Sequence, residues 1–391
     1  MTTILSSCQL ITPFEVIPDG AVVWDSEGKI IFVGPEEEVN HITGERIDLN
    51  GMTVAPGLID IHVHGGNGIM FGYGNLAEDL IKYSDWVAQF GVTGFVISIT
   101  GPDPDFILGA IRAYIPLLEK DYRGAQPLGL HLEGPFINPK RRGAFNPTWI
   151  RHPSVEEMQS YLDTGRGWIR HVTLAPELEN AGKVADILGD AGIQVALGHS
   201  DADYETASRA LRGRFTHITH TFNAQSPFHH RRPGVVGAVL NSNGASAELI
   251  ADGVHVHPAA MRLLTRCLGA EHIVLITDAI LGAGLPNGSY TLLGQHVEIS
   301  GGKSLLPDGT LAGSTATLDA CVRNMIKCAG VQIHDAVRMA SYNPAKVIQA
   351  DTSIGSLEPG KAANIIVLDK DLNIKMTFIK GHLIYEERTN G

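Results

Sequence analysis

From Val54 onward, short apolar runs alternate with stretches in which apolar positions recur every three or four residues. The runs are Leu58 to His64, Gly94 to Ile99, Leu128 to Glu133, Val172 to Ala175, Gln194 to Leu197, Phe215 to Phe222, Ala247 to Ile250 and Ile273 to Thr277. Most are nearly continuous in apolar residues, as strands covered on both faces should be. Helical patterns fit between most of them, at Leu76 to Phe90, Asp105 to Leu118, Val155 to Leu162, Val184 to Ala191, Tyr204 to Arg212 and Pro258 to Leu268. This rhythm predicts an α/β fold, a (β/α)8 TIM barrel. Two more helical patterns, Thr317 to Ala329 and Ile333 to Ala350, follow the eighth run.

The two ends of the chain read differently. Near the start, Ala21 to Trp24 and Ile30 to Val33 flank the turn Asp25-Ser26-Glu27-Gly28-Lys29. From Gly355 the chain returns to turn residues and short strand patterns, including Ile374 to Ile379 and His382 to Tyr385 around Lys380-Gly381. The simplest arrangement joins residues 1–53 and 355–391 in one small β-sandwich domain beside a barrel of residues 54–354. Neither repeats nor low-complexity tracts interrupt the pattern.

Composition narrows the function classes. The 391 residues are 44% hydrophobic, enough for a large core. Lys and Arg number 30 against 42 Asp and Glu, a net charge of -12, which disfavours nucleic acid or an anionic membrane surface as partner. Cys8, Cys267, Cys321 and Cys328 form no Cys-x-x-Cys pair and no disulfide framework, so a reducing cytoplasm is the expected location. The start of the chain lacks a signal-like pattern, and no run of 18 apolar residues occurs; a soluble, unprocessed protein is expected.

The candidate chemistry begins at Asp60-Ile61-His62-Val63-His64-Gly65. Residues i and i+2 of a strand share a face, so His62 and His64 can converge on one divalent ion, and Gly65 and Gly66 are expected to leave space beside it. An isolated His-x-His is more often a pair of hydrogen-bonded side chains, so further ligands at matching positions decide the matter. In a barrel, chemistry sits at the C-terminal ends of the strands. Five of this chain's residues stand there: Glu133, His199, His220 and Asp278 at the ends of their runs, and His255 just beyond the seventh. His171 and His217 fall at the start or middle of strands and read as structural. The carboxylates of Glu133 and Asp278 follow buried runs and need a cation or donors. Without cysteine, the set suits Zn²⁺, Fe²⁺, Mn²⁺ or Co²⁺, and the residues do not choose among them. His62, His64, Glu133, His199 and His220 exceed the three protein ligands of a single catalytic zinc, which points to two ions bridged by Glu133.

These motifs resemble a known family. Pro-Gly-Leu-Ile-Asp-x-His-x-His-Gly (56 to 65), His-Leu-Glu-Gly-Pro-Phe (131 to 136), Leu-Ala-Pro-Glu (174 to 177), Gly-His-Ser (198 to 200) and Thr-His-x-x-Asn-Ala (219 to 224) are similar to the amidohydrolase superfamily. Within it they are similar to the N-acetylglucosamine-6-phosphate deacetylase family. Ala251-Asp252-Gly253-x-His255, Thr277-Asp278-Ala279, Leu311-Ala312-Gly313-Ser314 and Gly360-Lys361-Ala362-Ala363-Asn364 extend the resemblance along nearly the whole chain. It implies Glu133, His199 and His220 as principal metal ligands, His62 and His64 as ligands of a second ion, and Asp278 as catalytic base. Asn223, Ala224, Arg231 and His255 match the sugar-phosphate site, and Leu311, Ala312 and Gly313 a segment that contacts substrate. The resemblance further implies a homodimer in which Arg231 reaches the neighbouring subunit's site. Ala144 and Phe145 stand where many members carry a small residue and His, and Gln225 where Met is usual; these positions are expected to bear on sugar specificity.

The expected reaction is metal-dependent hydrolysis of the N-acetyl group of a phosphorylated amino sugar. Asp278 would accept a proton from the attacking water and deliver it to the departing nitrogen, while His255 helps polarise the acetyl carbonyl. Two basic clusters flank the expected mouth: His229-His230-Arg231-Arg232, with Arg231 suited to bidentate phosphate recognition, and Lys140-Arg141-Arg142, for which a solvated surface run is an equal reading. Relatives that hydrolyse cyclic amides often bridge two metals with a carboxylated Lys, but no Lys ends a strand here. N-acetylgalactosamine 6-phosphate is the sister substrate. A non-catalytic barrel is disfavoured because every ligand position and Asp278 are present.

Overall fold

The computed structural model describes residues 2–292 and 294–387. Eight parallel strands, each paired with the next, run in the order β1 (Leu58–Val63), β2 (Val92–Ile99), β3 (Gln126–Glu133), β4 (Ile169–Leu174), β5 (Gln194–Leu197), β6 (Phe215–Ile218), β7 (Ser246–Ile250) and β8 (Ile273–Ile276). The helices α1 (Leu76–Val87), α2 (Pro104–Leu118), α3 (Val155–Gly165), α4 (Ala181–Asp190), α5 (Tyr204–Leu211), α6 (Gly234–Leu240), α7 (Pro258–Leu268) and α8 (Leu318–Lys327) follow the strands in turn. Their apolar faces merge with the outward faces of the strands in one large core. Side-chain caps start several helices, such as Asp103 accepting from the Phe106 N–H and Ser154 from the Glu157 N–H.

The ring closes between β1 and the chain leaving β8. Asp278 N–H donates to the His62 carbonyl (2.9 Å), and His64 N–H to the Ala279 carbonyl (2.8 Å). Below them the buried Asp60 carboxylate accepts from the Thr277 hydroxyl (2.5 Å) and backbone N–H (3.3 Å). Burial raises the Asp60 pKa to about 7, even though the Thr277 and His62 hydrogen bonds favour its charged form. Closure thus runs through the very residues that carry the candidate ligands.

Three elements depart from the expected pattern. Helix α6, Gly-Val-Val-Gly-Ala-Val-Leu, is apolar along nearly its whole length and buried, so it shows no amphipathic period to read. The expected single helix over Ile333 to Ala350 is broken into α9 (Ile333–Ala340) and α10 (Tyr342–Val347). Ser341 lies between them at φ -134°, ψ -71°, and Pro344 has no N–H to return to the preceding turn. Between β8 and α8 the chain adds a three-stranded antiparallel insert, Gly288–Leu292, Gln295–Ser300 and Lys303–Leu305, which the strand rhythm did not predict. Its strands are short and half polar, with Val297 and Ile299 as the main buried positions of the middle one.

The chain ends share a second eight-stranded sheet: Thr3–Ile11, Val16–Trp24, Ile30–Pro35, Glu45–Asp48, Thr53–Pro56, Ile365–Leu368, Ile374–Ile379 and His382–Glu386. Trp24 and Phe378 meet edge to face at 5.4 Å although three strands lie between theirs in the sheet order. The sheet therefore folds back over a core that includes Leu5, Val22, Val54, Ile365 and Val367. Residues 1 and 388–391 of the expected terminal unit lie outside the described residues. The apolar run starting at Val54 is divided: Thr53–Pro56 pairs with Ile365–Leu368, and the barrel starts at Leu58. Gly57 is the corner, where a Cβ would stand 2.4 Å from the Thr93 hydroxyl oxygen.

Inside the barrel the middle layer is polar. Side chains on strands that are not neighbours can meet only within the ring, and Thr173 of β4 meets Thr219, just past β6, at 2.8 Å, as His62 of β1 meets Glu248 of β7 at 2.9 Å. Val63 N–H donates to Ser98, which in turn contacts His131 Nδ1 (2.9 Å); His131 Nε2 shares a hydrogen bond with the Thr173 hydroxyl (2.8 Å). The ring of His171 stacks on His131 at 3.9 Å. Burial, only partly opposed by Glu248, lowers the His171 pKa from 6.5 to about 3.

His171 therefore folds neutral but takes a proton readily once unfolded. Stability it contributes is present above pH 6.5 and is lost as pH falls toward about 3, at up to roughly 1.4 kcal/mol per pH unit. His171→Leu should flatten the loss of stability between pH 7 and pH 5, measured as the shift in urea midpoint; an unchanged pH slope would remove His171 from the acid sensitivity of the fold.

Candidate metal centre and active site

Two groups of side chains come together at the C-terminal mouth of the barrel: Glu133, His199 and His220, and beside them His62, His64 and Asp278. Strand ends supply them. Glu133 is the last residue of β3, while His199 and His220 lie two residues beyond β5 and β6. His199, His220 and Asp278 have φ of 45°, 27° and 49°, which are sparsely populated for residues with a side chain. Such backbone costs on the order of 1–3 kcal/mol each and persists where the surroundings impose it. Here it turns three side chains toward one point.

Glu133 is the hub. Its Oε1 lies 3.0 Å from His220 Nε2, 3.2 Å from His199 Nε2 and 3.4 Å from His62 Nε2, and its Oε2 lies 3.0 Å from His64 Nε2. Asp278 Oδ1 stands 3.6 and 3.5 Å from the Nε2 atoms of His62 and His64. Burial opposes charge on Glu133, yet His62 and the contacts with His199 and His220 hold its carboxyl well below the usual range.

Partners on the far side of the rings fix the tautomers. His199 Nδ1 donates to the Arg141 carbonyl (2.8 Å) and His62 Nδ1 to Glu248 (2.9 Å), so each presents Nε2 inward as a lone pair. His199 Nε2 is 2.9 Å from His220 Nε2, and His62 Nε2 is buried without a hydrogen-bond partner. Lone pairs brought this close repel unless a cation or proton lies between them. The Glu133, His199 and His220 donors form a triangle with edges of 2.9, 3.0 and 3.2 Å. Ligands about 2.0–2.1 Å from a tetrahedral ion are separated by roughly 3.3 Å, so the donors fit a small divalent cation in spacing and chemistry. Burial lowers the affinity of His62 for a proton, but Glu248, Glu133 and Asp278 outweigh it and raise its pKa well above the usual value. A proton and a metal ion thus compete for the same electrostatic well.

A cavity of about 270 Å³ opens over these groups. His64, Glu133, His199, His220, Asn223, Ala224, His255 and Asp278 line it, as do Ala144, Phe145, Leu311, Ala312 and Gly313. Phe145 packs edge-on against His199 at 5.1 Å. Asp252 fixes His255 by accepting from its N–H (2.8 Å) and its Nδ1 (2.7 Å), which leaves Nε2 for the cavity. The segment ending at Ser314 is tied to the site backbone by Ser314 N–H donating to the Asp278 carbonyl (2.8 Å).

Several expected features are placed elsewhere. Arg231 is exposed, contacts His230 at 2.9 Å and does not line the cavity of its own chain. Arg141 pairs with Asp201 at 2.8 Å, and Arg142 donates to the Phe145 carbonyl, so this basic run braces its loop rather than the cavity. Gln225 is buried and donates to the Thr219 carbonyl (3.0 Å), which removes it from the cavity wall. The expected space at Gly65 and Gly66 is filled by the protein itself: a Cβ would lie 2.0 Å from the Ile69 carbonyl at the first and 2.5 Å from Trp86 at the second. Met70, Trp149, Leu292 and Gln295 also line the cavity, although sequence spacing singled out none of them. Gln295, on the insert, donates to the Ala144 carbonyl (3.2 Å). Glu248, which orients His62, was also missed; its only sequence signal was one charged residue within the apolar seventh run.

A (β/α)8 barrel with four histidines and two carboxylates gathered at its strand ends defines the class of metal-dependent barrel hydrolases. The amidohydrolase family model matches residues 53–384, and the chain belongs to that family. It is 38% identical over 377 residues to the N-acetylglucosamine-6-phosphate deacetylase of Vibrio furnissii, covering 95% of this chain and 92% of that protein. It is also 38% identical over 330 residues to the N-acetylgalactosamine-6-phosphate deacetylase of Escherichia coli O157:H7, covering 84% and 87%. Among solved structures, the N-acetylglucosamine-6-phosphate deacetylase of Pasteurella multocida superposes with a TM-score of 0.90 at 32% identity, covering 98% of this chain and 99% of that one. Among the described residues no helix is long and apolar enough to cross a membrane.

Replacing both His62 and His64 by Ala should lower the bound metal per chain without abolishing it, because Glu133, His199 and His220 keep their geometry. Elemental analysis after saturation and desalting checks this; a metal-free double variant would show that the five ligands form one indivisible site.

Proposed function

We propose that this chain hydrolyses N-acetyl-D-glucosamine 6-phosphate to D-glucosamine 6-phosphate and acetate in amino-sugar catabolism and recycling. The observation that carries the reading is the Glu133, His199 and His220 triangle with Asp278 beside it, at the base of the cavity. The chain's similarity to deacetylases of phosphorylated amino sugars supports the substrate class. A divalent ion held there, Zn²⁺ or Fe²⁺ first and Mn²⁺ or Co²⁺ next, would supply Lewis acidity and a water acidic enough to attack at neutral pH. Glu133, His199 and His220 would hold the principal ion, with His62 and His64 holding a second that shares Glu133.

The chain's own groups account for the proton and the geometry. Asp278, whose Oδ1 faces His62 and His64, accepts a proton from the attacking water and delivers it to the departing amine nitrogen, so that amide and water become carboxylate and amine. His255, braced at Nδ1 by Asp252, turns Nε2 to the cavity and would help polarise the acetyl carbonyl from there, a role that needs the doubly protonated ring. Ala144, Phe145, Leu311, Ala312 and Gly313 enclose the sugar and exclude water, while Asn223 and the Ala224 backbone contact its polar edge. The exposed Arg231 would bind the 6-phosphate in the neighbouring subunit of a homodimer, which is in keeping with its absence from its own cavity wall. Residues 54–354 carry the chemistry in this reading, and residues 1–53 with 355–391 form a supporting β unit in a cytoplasmic enzyme.

N-acetyl-D-galactosamine 6-phosphate is the second reading, favoured by the equal identity to the Escherichia coli O157:H7 relative. The two sugars differ in one hydroxyl's orientation, and acetate release from both, with and without the 6-phosphate, separates them. A clear preference for an unphosphorylated sugar would overturn the proposal. Asp278→Asn should retain metal yet lose roughly a hundred- to ten-thousand-fold in kcat, read by the same acetate assay; near-normal turnover would exclude Asp278 as the base.

A further inference from the structure

Glu248 lies at the middle of β7, has no solvent exposure and ends no strand. A lone carboxylate in such a place costs several kcal/mol unless its oxygens are satisfied. Both oxygens are, and the partners are specific. Oε2 accepts from His62 Nδ1 (2.9 Å) and also from the backbone N–H of His220 (3.0 Å). Oε1 accepts from His217 Nε2 (3.0 Å), whose Nδ1 is met by the Ser246 hydroxyl (2.6 Å), and the ring of His171 lies 3.7 Å from the same oxygen. The Glu248 backbone takes part too, its carbonyl accepting from Thr221 N–H (2.8 Å).

One oxygen thus joins a residue from each ligand group. His62 belongs with His64 and Asp278, and His220 with Glu133 and His199. At His220 the bond anchors a backbone turned to φ 27°, the posture that aims the ring inward. At His62 it selects the tautomer with Nε2 as the free lone pair and fixes the ring plane. His217, itself held by Ser246, fixes the other oxygen and so restrains the carboxylate.

We infer that Glu248 is a positioning residue that couples the two metal-ligand groups, setting His62 for the second ion and the His220 turn for the first. The inference rests on the reading that both groups bind metal. It predicts an asymmetry. The first group has an anchor independent of Glu248, the Arg141 carbonyl on His199, whereas among the described residues Glu248 alone meets the His62 ring at Nδ1. Loss of the acceptor should therefore weaken the second ion more than the first.

The test is Zn²⁺ binding to metal-stripped full-length protein, with a chromophoric chelator as competitor and elemental analysis for stoichiometry. Glu248→Ala should lower affinity for the more weakly held Zn²⁺ by about 10–100-fold and change the tighter site less. Glu248→Gln retains an oxygen that can accept from His62 and His220, and should restore most of that affinity. If Glu248→Ala does not fold, Glu248→Asp, which withdraws the oxygens by one methylene, should give an intermediate loss confined to the second ion. Wild-type affinity for both ions in the Ala or Asp variant would overturn the inference, as would equal loss of both ions that Gln fails to rescue. A wild-type protein that takes up only one Zn²⁺ at saturation would overturn the two-ion reading itself, and the inference with it.

Discussion

The buried carboxylate of Glu133 is the interaction on which the site depends. Four imidazole nitrogens stand 3.0 to 3.4 Å from its two oxygens, and almost no solvent reaches it. A charge in that position is tolerable only if positive charge accompanies it, whether protons on the surrounding rings or a divalent ion. The second tautomer-fixing layer, from the Arg141 carbonyl to Glu248, favours the ion by turning lone pairs inward. The arrangement suits a proton or a divalent ion at the same place, so the two compete for it.

The barrel's closure and its chemistry are one construction. The bonds that join β1 to the exit from β8 involve the backbones of His62, His64 and Asp278, so these candidate site side chains project from the seam of the ring. Asp60 and Thr277 lock the seam just below. Most barrels fill their interior with layers of branched apolar side chains. This one places His131, His171, His217, Glu248 and Thr173 there, linked through hydrogen bonds and ring stacking. The polar layer gives the ligand rings a rigid foundation and leaves the fold with buried neutral histidines that acid can charge.

Much of this was legible because it is local. Periodicity marked all eight barrel strands within a few residues, since a strand covered by helices on its outer face keeps most of its positions apolar. Candidate ligands could be picked out at strand ends because a barrel sends every strand's C-terminal end to one mouth, making sequence position a proxy for spatial convergence. The reading failed where no local rule applied. Helix α6 is apolar on all sides, the break between α9 and α10 depended on how one proline was accommodated, and the insert carrying Leu292 and Gln295 reaches the cavity only through the fold.

By itself, then, the sequence determined the barrel, the terminal strands and the set of groups able to bind a metal, because periodicity and residue chemistry are properties of short segments. Only the tertiary structure decided how those groups act together. Glu248 reaches His62 of β1 from β7, a separation of 186 residues along the chain, and Gln225, expected to bear on sugar specificity, turns toward the Thr219 carbonyl. It also set Arg231 on the surface, outside its own cavity, and filled the space at Gly65 with the Ile69 carbonyl. Side-chain direction at a strand end depends on which distant partner satisfies it, and that is fixed only when the ring closes.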